Sequence, residues 1–199
     1  MVKYFHFHTN NHNYDVPLVS CRCSHINNIT HHHCKKRCLI GVSKCWIHLL
    51  SDNFIRIQPS TIHGAGSGVF TRKRYNHTDR VYNIGDKICQ YEGNVISQHN
   101  LTHRYQNKTA PYSIILRNRD ENNNYQYEDA AEYRGIGSLI NHHTIRNNCR
   151  FSVTRNNRIQ IIATKPINKD TELLINYGQD YIMNQPGVLS STNNKRLTV

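Results

Sequence analysis

The chain reads as a mainly β protein of several small sheets, with a small cysteine and histidine module at its N-terminal end. Three observations predict this. From residue 54 onward, short apolar runs recur between turns rich in Gly, Asn, Asp and Pro, and sustained helical periodicity is scarce. Five cysteines, Cys21, Cys23, Cys34, Cys38 and Cys45, crowd the first quarter of the chain. Finally, two apolar runs each end in polar side chains. Gly137-Ser138-Leu139-Ile140 delivers Asn141 and His142, and Leu173-Leu174-Ile175 delivers Asn176 and Tyr177. Buried strands that end in hydrogen-bonding groups present a site rather than close a core.

Bulk properties narrow the class. A length of 199 residues leaves room for one ordinary core and a small appendage. Hydrophobic residues make up 37%, and the mean hydropathy is −0.69, polar for a globular chain but above the disorder limit. No run approaches the roughly 20 apolar residues that span a bilayer, so no membrane is expected. Residues 1–8 lack the apolar stretch and small-residue cleavage site of a signal peptide, which implies an intracellular location. Seven cysteines in a reducing compartment argue for metal over disulfides. The net charge of +12 predicts attraction to nucleic acid or chromatin, against the plainer alternative of a generally basic surface.

Taken in order, residues 1–20 show no sustained period and are expected to be irregular. Residues 21–50 form the module, closed by Cys45-Trp46-Ile47-His48. A C-x2-H pair with upstream cysteines supplies four soft ligands for tetrahedral zinc. The preferred set is Cys23, Cys38, Cys45 and His48; Cys34 can replace either of the first two, and Cys21 can replace Cys23. So short a segment buries little surface, so the metal would supply its folding energy. The alternative is a Cys/His-rich tail that binds metal adventitiously. Lys35, Lys36 and Arg37 could contact phosphate or form a solvated face.

Phe54-Ile55-Arg56-Ile57 alternates as a strand. Gly64, Gly66 and Gly68 then fall at alternate positions, which lets backbone approach a ligand and permits positive φ. The dinucleotide fingerprint fails, with Val69 or Thr71 where its last glycine belongs, and no Lys-Ser/Thr makes a P-loop. A plain hairpin turn is the alternative. Asn83–Ile88 leads into a strand expected to run from Ile88 through Tyr91 to Ile96. Tyr112–Leu116 and Ile159–Ala163 are further strands, and Lys165–Asp170 is a turn. Asp120, Glu121, Glu128, Asp129 and Glu132 could draw in a lysine-rich peptide, or balance nearby arginines. The tail, 184–199, is expected to be flexible.

The segments Gly66-Ser67-Gly68-Val69, Gln90-Tyr91-Glu92-Gly93, Asp129-Ala130, Gly137 to His142 and Glu172 to Gly178 follow one another in order. Together they resemble the paired motifs of the SET-domain protein lysine methyltransferases, over about residues 53–183. The resemblance implies the SET fold, several small sheets with a knot-like C-terminal threading. It also implies an S-adenosylmethionine-dependent protein-lysine N-methyltransferase. On that likeness the backbone of Gly66, Ser67 and Gly68 packs against the cofactor, Asn141 binds its methionine end and His142 its adenine. Tyr177 is the catalytic tyrosine and a cofactor contact, Tyr91 is a second active-site tyrosine, and Tyr112, Ile175 and Tyr181 line the lysine channel. Implied partners are a protein bearing the target lysine, a histone among the candidates, with nucleic acid or chromatin contact and a homodimer as further expectations.

The chain also departs from the pattern. Ile175 stands where an aromatic helps set the number of methyl groups, which leaves product number open. No cysteine follows Cys149, so the zinc cluster that many relatives carry after the domain is missing. In this it resembles small SET proteins of large DNA viruses, which would place it in host cytoplasm, nucleus or virion. A second expectation is a catalytically inactive SET-fold binding protein, targeted to chromatin or nucleic acid by the zinc module.

Overall fold

The computed structural model describes residues 3–9, 12–18, 22–38, 42–72, 79–105, 110, 112–131 and 135–178. Cys21, Glu132, Tyr181 and the tail named above lie outside the described residues. No helix among them is long and apolar enough to cross a membrane.

The N-terminal stretch differs from expectation. Instead of irregular chain it forms a hairpin, β1 (Lys3–Thr9) antiparallel to β2 (His12–Leu18), in unbroken register from Lys3↔Leu18 to Thr9↔His12. The register sets Phe5 opposite Val16 and Phe7 opposite Tyr14.

Next, the bridges Arg22↔Arg37 and Ile26↔His33 draw residues 22–37 into a ribbon. Asn27 stabilises its turn by accepting the amides of Ile29 and Thr30. Helix α1 (Trp46–Asn53) begins after an extended Cys45 and ends at Phe54, whose φ of 50° returns its amide to Leu49 and Leu50. At two turns it is too short for its period to stand out in the sequence. Leu49 of α1 is 1% exposed and joins the main core together with Val42. At the helix end, Asn53 donates its side-chain amide to Ile88 O at 2.8 Å and accepts the Tyr82 hydroxyl on its carbonyl. The module is therefore fused to the domain that follows.

That domain is a set of small sheets. β3 (Ile55–Pro59) and β4 (Ser67–Thr71) form a hairpin around the glycine loop. β5 (Arg80–Tyr82) pairs with β13 (Ile167–Asn168). β7 (Asn94–Ser97), β8 (Ser113–Arg119) and β9 (Tyr125–Asp129) make a sheet of order β7-β9-β8, against which α2 (Gln98–Tyr105) buries Leu101 and Tyr105. The largest sheet holds β6 (Lys87–Gln90), β10 (Asn141–His142), β11 (Cys149–Val153), β12 (Ile159–Ala163) and β14 (Leu174–Ile175) in the order β10-β14-β11-β12-β6. β14 pairs in parallel with both β10 and β11, so the C-terminal segment inserts between two strands that precede it.

Two expected strands are broken. The run from Ile88 to Ile96 splits after Gln90, because Glu92 adopts φ 57° and Gly93 packs where a Cβ would lie 2.7 Å from the Asp129 carbonyl carbon. The break sends β6 into one sheet and β7 into another. The run before Asn141 is a 3-10 turn, Ile136–Leu139, rather than a strand. It seats Gly137 against β6, where a Cβ would meet Gln90 O at 2.7 Å. Ile55, Val69, Ile114, Ile159, Ile161 and Leu173, all fully buried, fill the space between the sheets.

Because Leu49 belongs to this core, Leu49→Ala should lower global stability by about 3 kcal/mol. Urea unfolding would show one shifted transition; a loss confined to the module, with the sheets unaffected, would show that the two fold separately.

Candidate active site

Two short elements define the site. β14 ends at Ile175 beside β10, which sets Tyr177 next to His142. The Tyr177 amide donates to His142 Nδ1 at 3.0 Å, and its hydroxyl donates to Ile140 O. The two rings lie 5.2 Å apart. Phe151 of β11 sits 5.8 Å from the Tyr177 ring and meets Tyr91 edge-on, also at 5.8 Å. Tyr91 closes the row by donating its hydroxyl to Tyr112 O at 3.0 Å. The structure thus joins Tyr177 and Tyr91 through Phe151, with His142 and Tyr112 at the two ends of the row, and Phe151 is an aromatic that carried no role in the sequence. Ile175 is fully buried and belongs to the main core.

Electrostatics fix the protonation states. Burial, with His143 nearby, pushes the His142 pKa down, so the ring is neutral; Nδ1 accepts from Tyr177 and Nε2 carries the hydrogen. Burial pushes the Tyr91 hydroxyl well above its usual range, so it stays a donor.

The glycine loop is organised by Glu172, which heads the second motif without a role of its own there. Glu172 is 6% exposed. Its carboxylate accepts from Ser60 Oγ at 2.6 Å, Thr61 N at 2.8 Å and the Thr61 hydroxyl, with Asn141 Nδ2 at 3.4 Å. Burial works to raise its pKa, but these donors outweigh it and hold the carboxyl below its ordinary value. A Cβ on Gly68 would lie 2.3 Å from Glu172 Oε1. Gly68 is thus a glycine to admit this carboxylate, a steric cause the sequence had not suggested. Asn148 braces the other side, donating to Glu172 O at 2.8 Å and accepting from Leu174 N at 2.9 Å.

Gly64 and Gly66 behave differently. Both have positive φ, 77° and 69°, and a Cβ there would meet nothing within 4 Å. Beside this open loop Asn141 donates its amide to Ser67 O at 3.0 Å. An exposed glycine backbone next to half-buried Asn141 and His142 fits a small-molecule cradle. The acidic residues at 128 and 129 do not face it as free charges. Both are fully buried, Glu128 against Arg158 and Asp129 against Arg104, each at 2.7 Å.

In the module, one ligand atom from each of Cys23, Cys34, Cys45 and His48 lies within 4.8 Å of the others, a donor set compatible with zinc. This gathers Cys23, Cys45 and His48 of the preferred set with Cys34, the alternate. Cys38 packs alongside, but its thiol donates to Ser43 O at 3.3 Å.

The model of the SET domain family matches residues 66–178. The chain belongs to the SET-domain family. No curated protein sequence matches it. Among solved structures, the active polycomb repressive complex 2 in the stimulated state is similar at TM-score 0.50 and 24% identity, covering 64% of this chain and 15% of that one. The complex of ctPRC2 with H3K27me3 and H3K27M gives TM-score 0.51 and 22% identity, over 72% of this chain and 16% of that one. These similarities speak to the fold, and the chain spans a small part of the chains it resembles. In SET terms, the aromatic row, Asn141, His142 and the Gly66 to Gly68 part of the glycine loop fall inside the matched segment, and the Cys/His cluster falls before it.

Glu172 predicts a pH dependence. Its folded pKa lies below its unfolded value, so its contribution to stability is complete above about pH 4.5, the ordinary glutamate value, and is lost as pH falls through the folded pKa. Glu172→Gln should lower the melting temperature at neutral pH and flatten the acid limb of melting temperature against pH. An unchanged acid limb would rule the carboxylate out as its source.

Proposed function

We propose that this SET chain is an S-adenosylmethionine-dependent protein-lysine N-methyltransferase. The observation that carries this is the convergence of Tyr177, Phe151 and Tyr91 with Asn141, His142 and the open glycine loop. When bound, S-adenosylmethionine would supply a methyl group on a sulfonium. This chain's own residues would hold and align. Asn141, its amide anchored on Ser67 O, would hold the methionine end, and neutral His142 the adenine. Tyr177 and Tyr91 have their hydroxyls pinned to the carbonyls of Ile140 and Tyr112, which fixes their rings as walls for a lysine stem. Such burial beside a cation favours the neutral, nucleophilic amine. Methyl transfer needs alignment more than acid–base power, so fixed walls account for much of the expected rate.

The charge distribution shapes the proposed substrate. A chain at +12 repels free basic tails, and the acids at 128 and 129 are spent on arginines. Histone lysines presented on DNA, in the cytoplasm or nucleus, suit it better than free histones.

The test is transfer of labelled methyl from S-adenosylmethionine to nucleosomes, free histones and a cell lysate. Tyr177→Phe should cut incorporation roughly 100-fold through misalignment while cofactor binding by calorimetry persists. Nucleosomes should outperform free histones, by a margin that shrinks as salt rises. Cofactor binding without any label would indicate an inactive binding protein, and no cofactor binding would undo the site.

A further inference from the structure

The Cys/His cluster lies outside the segment that matches the family and plays no part in the methyl-transfer site. Its geometry is that of a metal centre. His48 Nδ1 is 3.2 Å from Cys23 Sγ and 3.3 Å from Cys45 Sγ. A tetrahedral ion with Zn–S of about 2.3 Å and Zn–N of about 2.0 Å sets such S···N separations at roughly 3.5 Å. Backbone amides already point at the sulfurs: Cys45 N donates to Cys23 Sγ at 3.2 Å and Lys36 N to Cys34 Sγ at 3.5 Å. Amide donors of this kind stabilise thiolate charge.

The support around the ligands is equally specific. The His25 ring stacks on His48 at 3.6 Å with 6° between planes. His25 Nδ1 is held by Asp52 at 2.9 Å, and Lys44 pairs with the same carboxylate at 3.0 Å. This sandwich orients His48 so that Nδ1 faces both sulfurs, as an outer shell does for a ligating imidazole. Cys45 and His48, three apart at the start of α1, share one helix face. The ribbon of residues 22–37 brings Cys23 and Cys34 to that face.

We propose that Cys23, Cys34, Cys45 and His48 hold one zinc ion in a closed, structural, tetrahedral site, and that the ion clamps α1 onto the SET core. Three thiolates and an imidazole are a zinc donor set. Cys23 and Cys45 are buried, and four protein ligands leave no open position for catalysis. Cys38 is not a ligand. The clamp acts on the core because the helix that carries His48, directly after Cys45, also places Leu49 in the core and Asn53 on Ile88 O.

The test uses the full chain and reads metal, not activity. Elemental analysis should find one zinc per chain. Cys34→Ser should lose it and Cys38→Ser should keep it. Cobalt exchanged into the wild type should give the intense visible bands of a tetrahedral ion and thiolate charge-transfer absorption in the near ultraviolet. Stripping the metal with a chelator should lower the melting temperature of the whole chain, and zinc should restore it. Four results would overturn the proposal: wild type that binds no zinc after refolding with it, zinc that survives Cys34→Ser, zinc lost through Cys38→Ser, or an octahedral cobalt spectrum. The cobalt spectrum is measured on wild type, so it decides the matter even where a cysteine variant fails to fold.

Discussion

One buried carboxylate holds the site together. Glu172 receives hydrogen bonds from the start of the glycine loop and from Asn141, and its own carbonyl is held by Asn148. Three segments distant in sequence, around residues 60, 141 and 172, are tied together by one side chain. A buried carboxylate is costly unless its lone pairs are satisfied, and here Ser60, Thr61 and Asn141 satisfy it. The same bonds leave the loop with little freedom at its base, while Gly64 and Gly66 face open space at its tip. Rigidity and access are separated by two to four residues.

The rest of the acidic chemistry follows a similar economy. In a strongly basic chain, Glu128 and Asp129 are drawn inside. Glu128 accepts from Gly93 N and Ile159 N as well as from Arg158, and Asp129 from the Tyr105 hydroxyl and Ala131 N as well as from Arg104. They join sheets rather than decorate the surface, which leaves the outer field to the lysines and arginines.

Much of this was legible in the sequence, and the losses have physical causes. Asn141, His142 and Tyr177 stand at the ends of apolar runs, so their placement follows from local pattern. Phe151 lies in β11, a strand the sequence did not announce, and no local pattern says which aromatic lies next to it. Glu172 precedes its apolar run, and nothing local says that its partners lie more than a hundred residues upstream. Gly68 looks like its neighbours Gly64 and Gly66, yet only the fold distinguishes a glycine that makes room for a carboxylate from one that opens onto solvent. The same limit separated Cys34 from Cys38: spacing permits either, whereas in the fold the Cys34 thiol lies with Cys23, Cys45 and His48 and the Cys38 thiol donates to Ser43 O. The helices α1 and α2 span eight residues each, too few for a period to emerge.

The insertion of β14 between β10 and β11 also governs the order of events as the chain is made. Synthesis runs from the N-terminus, and domains gain structure as they emerge. The ribbon of the module and the three-stranded sheet draw their strand partners from residues already present. The largest sheet does not: its second strand is residues 174 and 175. Until those residues leave the ribosome, β10 and β11 face a gap, and Asn141 and Tyr177 have no common surface. A nascent chain therefore has no assembled site until residues 174 to 177 have emerged.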